Sequence, residues 1–202
     1  YWQKEHGEYY RRFPAHNTVI VDGVSNYGRR GDHALEVLHL EPASEAEALS
    51  EWVSFSDTAF DEPETASDQR RLVSVIRTSA TSGFYVDIFR SKRRDGQDRK
   101  NEYLYHNLGK RVTLTRSDGE MLTTVPTDEL GTAHGDQIGY DYFTEKKVVS
   151  HGQDFYAKFS VVLENGSDVG MRMWMAGAKG RTVFTSMSPR ARSIMRGSAP
   201  RE

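Results

Sequence analysis

The sequence predicts an all-β protein: an antiparallel β-sandwich of about nine or more short strands with little helix. Segments rich in β-branched and aromatic residues recur along the chain, and several alternate between apolar and polar side chains, as half-buried strands do. Glycine, proline and asparagine separate these segments at turns. No apolar period of 3.6 residues runs far enough to predict a structural helix, and no internal repeat is present.

Composition narrows the class of protein. The 202 residues suffice for one large all-β domain or two small ones, and the net charge of -2 argues against a nucleic-acid partner. No apolar run is long enough to span a membrane, and the absence of cysteine excludes disulfides and thiolate metal sites. The chain opens with neither an initiator methionine nor a signal peptide, so we expect it to be a piece of a longer protein.

The expected strands follow one another with turn signals between them. In the first half they cover residues 18–21, 35–40, 52–57, 71–77, 84–89 and 103–106. In the second half they cover residues 112–115, 140–149, 155–163, 169–175 and 181–187. We expect residues 1–188 to form one β-sandwich domain and residues 189–202 a flexible basic tail.

Other segments and pairs are predicted from local patterns. Residues 1–14 read as a loop or irregular strand, and residues 91–100 as a charged loop. A capping box of Ser44 and Glu47 would start a short helix. An ion pair of Asp87 with Arg71 is the default on neighbouring strands.

The most informative stretch is residues 15–23, where the polar triad His16-Asn17-Thr18 runs into a β-branched strand that stops at Asp22-Gly23. This nonapeptide resembles the His-Asn-Thr-Val signature of the heparinase II/III-like polysaccharide lyases. Residues 69–90, with Arg71 to Arg77 followed by Phe84 to Arg90, resemble that family's next strands, and Tyr103-Leu104-Tyr105-His106 resembles its aromatic-rich strand. The resemblance covers roughly residues 9–110.

That resemblance implies a fold and an activity. Members of the family carry an N-terminal (α/α) toroid followed by a β-sandwich, and they cleave uronic-acid glycans by β-elimination. The sandwich lines one wall of the cleft and holds part of a zinc site, with His16 as one ligand and the other ligands upstream. The implied partners are an anionic polysaccharide and the toroid of the same protein, and the implied location is periplasmic or secreted. Without the toroid, we expect this chain alone to be catalytically silent.

The chemistry of β-elimination selects further candidates. The uronate carboxylate must be neutralised, and a base and an acid must lie within hydrogen-bonding reach. The catalytic candidates are Tyr1, Tyr10 and His106, and the substrate-binding candidates are Arg11, Arg12 and Asn17.

Structural roles compete with each of these assignments. The tyrosines would equally pack as an aromatic edge, the arginines would serve as solvated charges, and Asn17 would satisfy local backbone groups. His16 as a hydrogen-bonded structural histidine stands beside His16 as a zinc ligand. At the level of the whole chain, the alternative to a lyase is a non-catalytic carbohydrate-binding or structural β-sandwich module.

Overall fold

The computed structural model of the chain describes residues 4–25, 35–97, 100–107, 109–130 and 139–189. This part of the chain contains twelve strands, and every pairing between them is antiparallel. The chain divides into two compact units, which we call the central unit (Asn17–Leu104) and the terminal unit (Tyr1–His16 with Tyr105–Glu202). The predicted all-β, antiparallel class is confirmed.

The central unit contains two sheets. Its strands are β1 Thr18–Val21, β2 Leu35–Glu41, β3 Val53–Glu62, β4 Ser67–Arg77, β5 Gly83–Arg93 and β6 Asn101–Leu104. Strands β2, β3, β4 and β5 form a four-stranded sheet in chain order, and β1 pairs with β6. The predicted ion pair is present, because the Arg71 guanidinium lies 2.7 Å from the Asp87 carboxylate.

A buried carboxylate closes the turn between β3 and β4. Glu62 is only 4% exposed, and its oxygens accept hydrogen bonds from the backbone N–H groups of Glu64 and Thr65 at 2.8 and 2.9 Å. At the next turn, a Cβ on Gly83 would meet the carbonyl oxygen of Ile76 at 2.5 Å. Only glycine therefore fits where β5 begins beside β4.

The terminal unit is a β-sandwich of two three-stranded sheets. Its strands are β7 Arg111–Arg116, β8 Val125–Pro126, β9 Thr144–Ser150, β10 Phe155–Val162, β11 Asp168–Met175 and β12 Thr182–Met187. The strand orders are β11-β10-β7 and β12-β9-β8. The core of the first sheet is Leu114, Phe155 and Ala157, and Val149 and Val183 of the second sheet pack against it. Two inner faces meeting in this way define a sandwich.

The structure corrects the expectation for the segment before Pro14. Instead of a loop or irregular strand, it forms a π-helical turn at His6–Tyr10 and a 3₁₀ turn at Phe13–Ala15. The physical reason is burial of Tyr9, which is only 2% exposed and packs against aromatic residues more than 130 positions later in the chain. A local pattern cannot encode such a contact.

Several boundaries also differ from the sequence-based expectations. Strand β5 continues to Arg93, so the charged loop begins later than expected, and β6 ends at Leu104 before Tyr105 and His106. The expected strand at 140–149 opens instead with a 3₁₀ turn at Tyr140–Tyr142. The predicted capping box does not form, because the Ser44 hydroxyl bonds the Glu47 carboxylate at 3.1 Å and caps no backbone N–H; the segment is a single 3₁₀ turn at Glu45–Glu47. Nearly all of the expected tail lies outside the described residues.

The core of the terminal unit gives a stability prediction. Phe155 is 3% exposed and lies under the guanidinium of Arg181, at 4.8 Å from ring centroid to Cζ. We expect Phe155→Ala to lower the free energy of unfolding by about 3–5 kcal/mol in chemical denaturation, since it leaves a cavity between the sheets. Val162→Ala on the same strand, 61% exposed, should change it by less than about 0.5 kcal/mol. Equal effects of the two variants would contradict the assigned core.

Candidate functional site

The terminal unit gathers most of the predicted site residues around one buried tyrosine. The ring centroid of Tyr9 lies 5.2 Å from that of Tyr10, 5.7 Å from Tyr142 and 5.9 Å from Phe143. Edge-on aromatic pairs of this kind contribute about 0.5–1.5 kcal/mol each beyond the area they bury. Tyr10, a predicted catalytic residue, is therefore held against the sandwich through Tyr9.

His106 links this segment to the end of β12. Its Nε2 lies 2.7 Å from the carbonyl oxygen of Pro14, and its Nδ1 lies 3.0 Å from the hydroxyl of Ser188. A carbonyl oxygen only accepts, so Nε2 must carry the proton. Burial lowers the pKa of His106, and the nearby His16 lowers it further. The hydrogen bond to the Pro14 carbonyl raises it by less. The ring is therefore neutral at pH 7, and Nδ1 accepts a hydrogen bond.

His106 and Ser188 belong to a longer hydrogen-bonded chain. Because Nδ1 accepts, the Ser188 hydroxyl donates to it. Burial raises the pKa of Tyr9, and a hydrogen bond with Ser188 opposes that rise. Tyr9, Ser188, His106 and the Pro14 carbonyl are thus linked by hydrogen bonds, and we call this chain the Tyr9–Pro14 relay.

A second, half-buried contact fixes the same segment. The hydroxyl of Tyr142 donates to the Glu8 carboxylate at 2.7 Å. Burial, followed by this hydrogen bond and the charge of Glu8, raises the pKa of Tyr142 to about 12, so the phenol stays protonated and keeps donating. A Cβ on Gly139, whose φ is +100°, would lie 3.2 Å from both the Glu8 carbonyl oxygen and Pro14. This close approach and the left-handed backbone both favour glycine there.

The relay positions His16. The backbone N–H of His16 donates to the carbonyl oxygen of Phe13 at 2.9 Å, which closes the turn that contains Pro14. His16 itself is exposed, and its charge influences His106. Two of the predicted site residues, His16 and His106, therefore lie in one neighbourhood, with His16 exposed and His106 half-buried.

The remaining N-terminal candidates differ in accessibility. Arg11 is exposed, whereas Arg12 is half-buried and its Nε donates to the carbonyl oxygen of Gly7 at 2.7 Å. Part of the Arg12 guanidinium is thus used to hold the helical turn. Tyr1 lies outside the described residues.

Asn17 belongs to the central unit, where a polar network holds its backbone. Its carbonyl oxygen accepts a hydrogen bond of 2.8 Å from Arg71. Two hydrogen bonds from Arg71 to Asp87, at 3.0 and 2.7 Å, orient the guanidinium, and the Tyr103 hydroxyl donates to the same carboxylate at 2.9 Å. Bidentate arginine–carboxylate pairs fix geometry well, so Asn17 has a well-defined backbone position.

The predicted zinc site can be tested against the donor atoms in the structure. No group of three or more His, Asp or Glu side chains suited to a metal occurs within the described ranges. His16 alone offers one nitrogen, whereas zinc requires three or four protein ligands. The described residues therefore do not form a zinc site by themselves.

Sequence reasoning missed the partners of the relay. Ser188 follows β12 with no motif around it, and Pro14 contributes only a carbonyl oxygen. They meet His106 across 82 and 92 positions of sequence, respectively. The only local signal was the strand-ending position of His106, which marked it as a candidate without revealing its partners.

Comparison with known proteins gives a relative of stated activity. An endo-acting ulvan lyase from Formosa agariphila is 29% identical to the chain over 205 residues, which cover 95% of this chain and 25% of that lyase. The chain thus spans about a quarter of the length of the curated relative it matches. No family model matches the chain, and no solved structure matches it. The similarity agrees with the polysaccharide lyase class suggested by the His-Asn-Thr motif, and it does not bear on the heparinase II/III subdivision.

The lowered pKa of His106 predicts a pH dependence of stability. The folded state binds the His106 proton more weakly than the unfolded state, whose pKa is near 6.5, so this contribution is complete above pH 6.5. It is lost as the pH falls below that value, because protonation destroys the acceptor at Nδ1. The free energy of unfolding can be measured in urea from pH 8 to pH 5, about 1.5 pH units on either side of the unfolded-state pKa. We expect the stability advantage of wild type over His106→Gln to shrink as the pH falls.

The matched control for this measurement is Lys158→Gln, which replaces an exposed cation of the terminal unit. It should retain the wild-type pH dependence. If the stability advantage of wild type over His106→Gln stayed constant or grew as the pH fell, His106 could not be a neutral ring that accepts a hydrogen bond at Nδ1.

Proposed function

We propose that the chain is the β-sandwich portion of a longer polysaccharide lyase that cleaves an anionic, uronate-containing glycan by β-elimination, with ulvan as the first substrate to test. The observation that carries this proposal is the similarity to an endo-acting ulvan lyase along 95% of the chain. The His-Asn-Thr motif supports it independently, since it resembles a lyase signature. A periplasmic or secreted location belongs to the same proposal.

The reaction defines what the full site must supply. A base removes the proton at C5 of the uronate, the C4–O bond breaks, and a C4=C5 double bond forms while an acid protonates the departing oxygen. The C5 proton is acidic enough only when the neighbouring carboxylate is neutralised by hydrogen bonds or cations. Tyrosine, histidine and arginine suit these three tasks, and residues 9–16 combine all of them.

Accessibility suggests how the tasks divide. Arg11 and His16 are exposed and can meet a polysaccharide, so we assign carboxylate binding to Arg11 and substrate-facing chemistry to the neighbourhood of His16. Both ring nitrogens of His106 are engaged, so it acts on this neighbourhood as a positioning residue. Tyr1 and Tyr10 remain proposed catalytic tyrosines, and Arg12 and Asn17 proposed contributors to substrate binding.

Zinc and the toroid complete the proposal beyond the described residues. We propose His16 as one zinc ligand of a set whose other members come from residues outside the described ranges. The upstream (α/α) toroid would supply the opposite wall of the cleft and further catalytic groups. The chain alone would then retain affinity for the glycan without turning it over.

Turnover separates the lyase from a carbohydrate-binding module. The ultraviolet absorbance of the unsaturated product is followed with ulvan and with other uronate polysaccharides, using the longer protein that contains this sequence. We expect product with ulvan, and we expect Arg11→Gln to reduce kcat/KM by about tenfold, since a charge-assisted contact with the carboxylate is lost. The control, Lys158→Gln, replaces an exposed cation on β10 and should leave kcat/KM unchanged.

The outcomes discriminate among the candidate functions. Absence of unsaturated product from the longer protein on every uronate glycan, together with binding, would favour the non-catalytic module. Clear turnover by the 202-residue chain alone would contradict the proposed need for the toroid.

A further inference from the structure

One face of the four-stranded sheet places two arginines beside a buried carboxylate. We call it the arginine face and define it by His39, Asp57, Arg70 and Arg90, which the strand register places on the same side of β2, β3, β4 and β5. Asp57 is 3% exposed, whereas His39, Arg70 and Arg90 are exposed. Nothing in the lyase proposal uses this face.

Two arginines stand directly opposite each other on this face. Arg70 of β4 pairs in register with Arg90 of β5, and directly opposite side chains in an antiparallel sheet have Cβ atoms about 4.5–5.5 Å apart. Like charges at such positions destabilise a sheet. A sequence that keeps them on long, regular strands needs a compensating anion.

The protein supplies that anion for one arginine only. Asp57 holds Arg70 in a bidentate pair, with the Nε of Arg70 2.9 Å from Oδ1. Arg90 makes no hydrogen bond or ion pair with any other described residue. The pKa of Asp57 is lowered chiefly by its hydrogen bond with Arg70, and the nearby His39 and Arg90 lower it further. Asp57 therefore lies beside two arginines and pairs with only one of them.

Other carboxylates of this face have their own partners or stand farther from the two arginines. Asp61 and Asp68 both pair with Arg94, and Asp68 stands opposite Lys92. Glu36 lies in the same row as the two arginines, but Ala59 separates it from Arg70.

We propose that Arg70 and Arg90 form a binding subsite for a sulfate or carboxylate group of an anionic polysaccharide, with Arg70 fixed in place by Asp57. A planar guanidinium pairs with such groups through two parallel hydrogen bonds, and an anion between the two arginines relieves their repulsion. Only the choice of polysaccharide rests on the proposed lyase function.

The test is an affinity measurement on the full 202-residue chain with ulvan, by titration calorimetry. We expect Arg90→Gln to weaken binding by about tenfold and to reduce its dependence on salt. The matched control is Arg77→Gln, an exposed arginine at the far end of β4 on the opposite face, which should bind as wild type does. Arg90 is exposed, so the variant should keep the wild-type melting temperature.

Chemically modified probes identify the bound group. If the subsite recognises sulfate, desulfated ulvan should bind wild type and Arg90→Gln with equal affinity. If it recognises carboxylate, carboxyl-reduced ulvan should bind the two proteins with equal affinity. Equal affinities of wild type and Arg90→Gln for unmodified ulvan, or an equal loss in Arg77→Gln, would overturn the proposal. The lyase proposal fails separately, through the absence of unsaturated product, because binding here is measured without turnover.

Discussion

The hydrogen bond between His106 Nε2 and the carbonyl oxygen of Pro14 is the interaction on which the arrangement of the terminal unit depends. It works only with a neutral ring whose proton sits on Nε2, and burial enforces that state by lowering the pKa of His106. The same tautomer obliges Ser188 to donate to Nδ1, and Ser188 also forms a hydrogen bond with Tyr9. The segment that ends at His16 is fixed as a consequence.

This arrangement separates positioning from contact with a substrate. The buried groups are satisfied by each other, as buried polar groups must be, while Arg11 and His16 remain exposed beside them. In the central unit, Arg71 donates to the backbone carbonyl of Asn17, and the Asp87 carboxylate orients Arg71. The Tyr103 hydroxyl donates to the same carboxylate. A lyase site needs such preorganisation because its base and acid must be placed within a few tenths of an ångström.

Local patterns in the sequence predicted the strands well, because alternation and β-branching are local properties. Strand β1, Thr18–Val21, coincides with its prediction, and the alternating Met171, Met173 and Met175 face the interior as half-buried residues of β11. The turn at His6–Tyr10 was missed because Tyr142 and Phe143 induce it from far along the chain. The candidates His16 and His106 came from a motif and a strand end, but their proximity and the role of Ser188 depend on tertiary contacts that spacing cannot encode. No helix in the part of the chain that the structure describes is long and apolar enough to cross a membrane.

The most direct test of this account is the tautomer of His106, read from the ¹⁵N chemical shifts of its ring in the labelled 202-residue chain at pH 7. The account predicts a neutral imidazole with the proton on Nε2 and an unprotonated Nδ1, and loss of that signature in Ser188→Ala, which removes the donor to Nδ1. A protonated ring, or a neutral ring with its proton on Nδ1, would contradict the Tyr9–Pro14 relay and the positioning of His16 that follows from it.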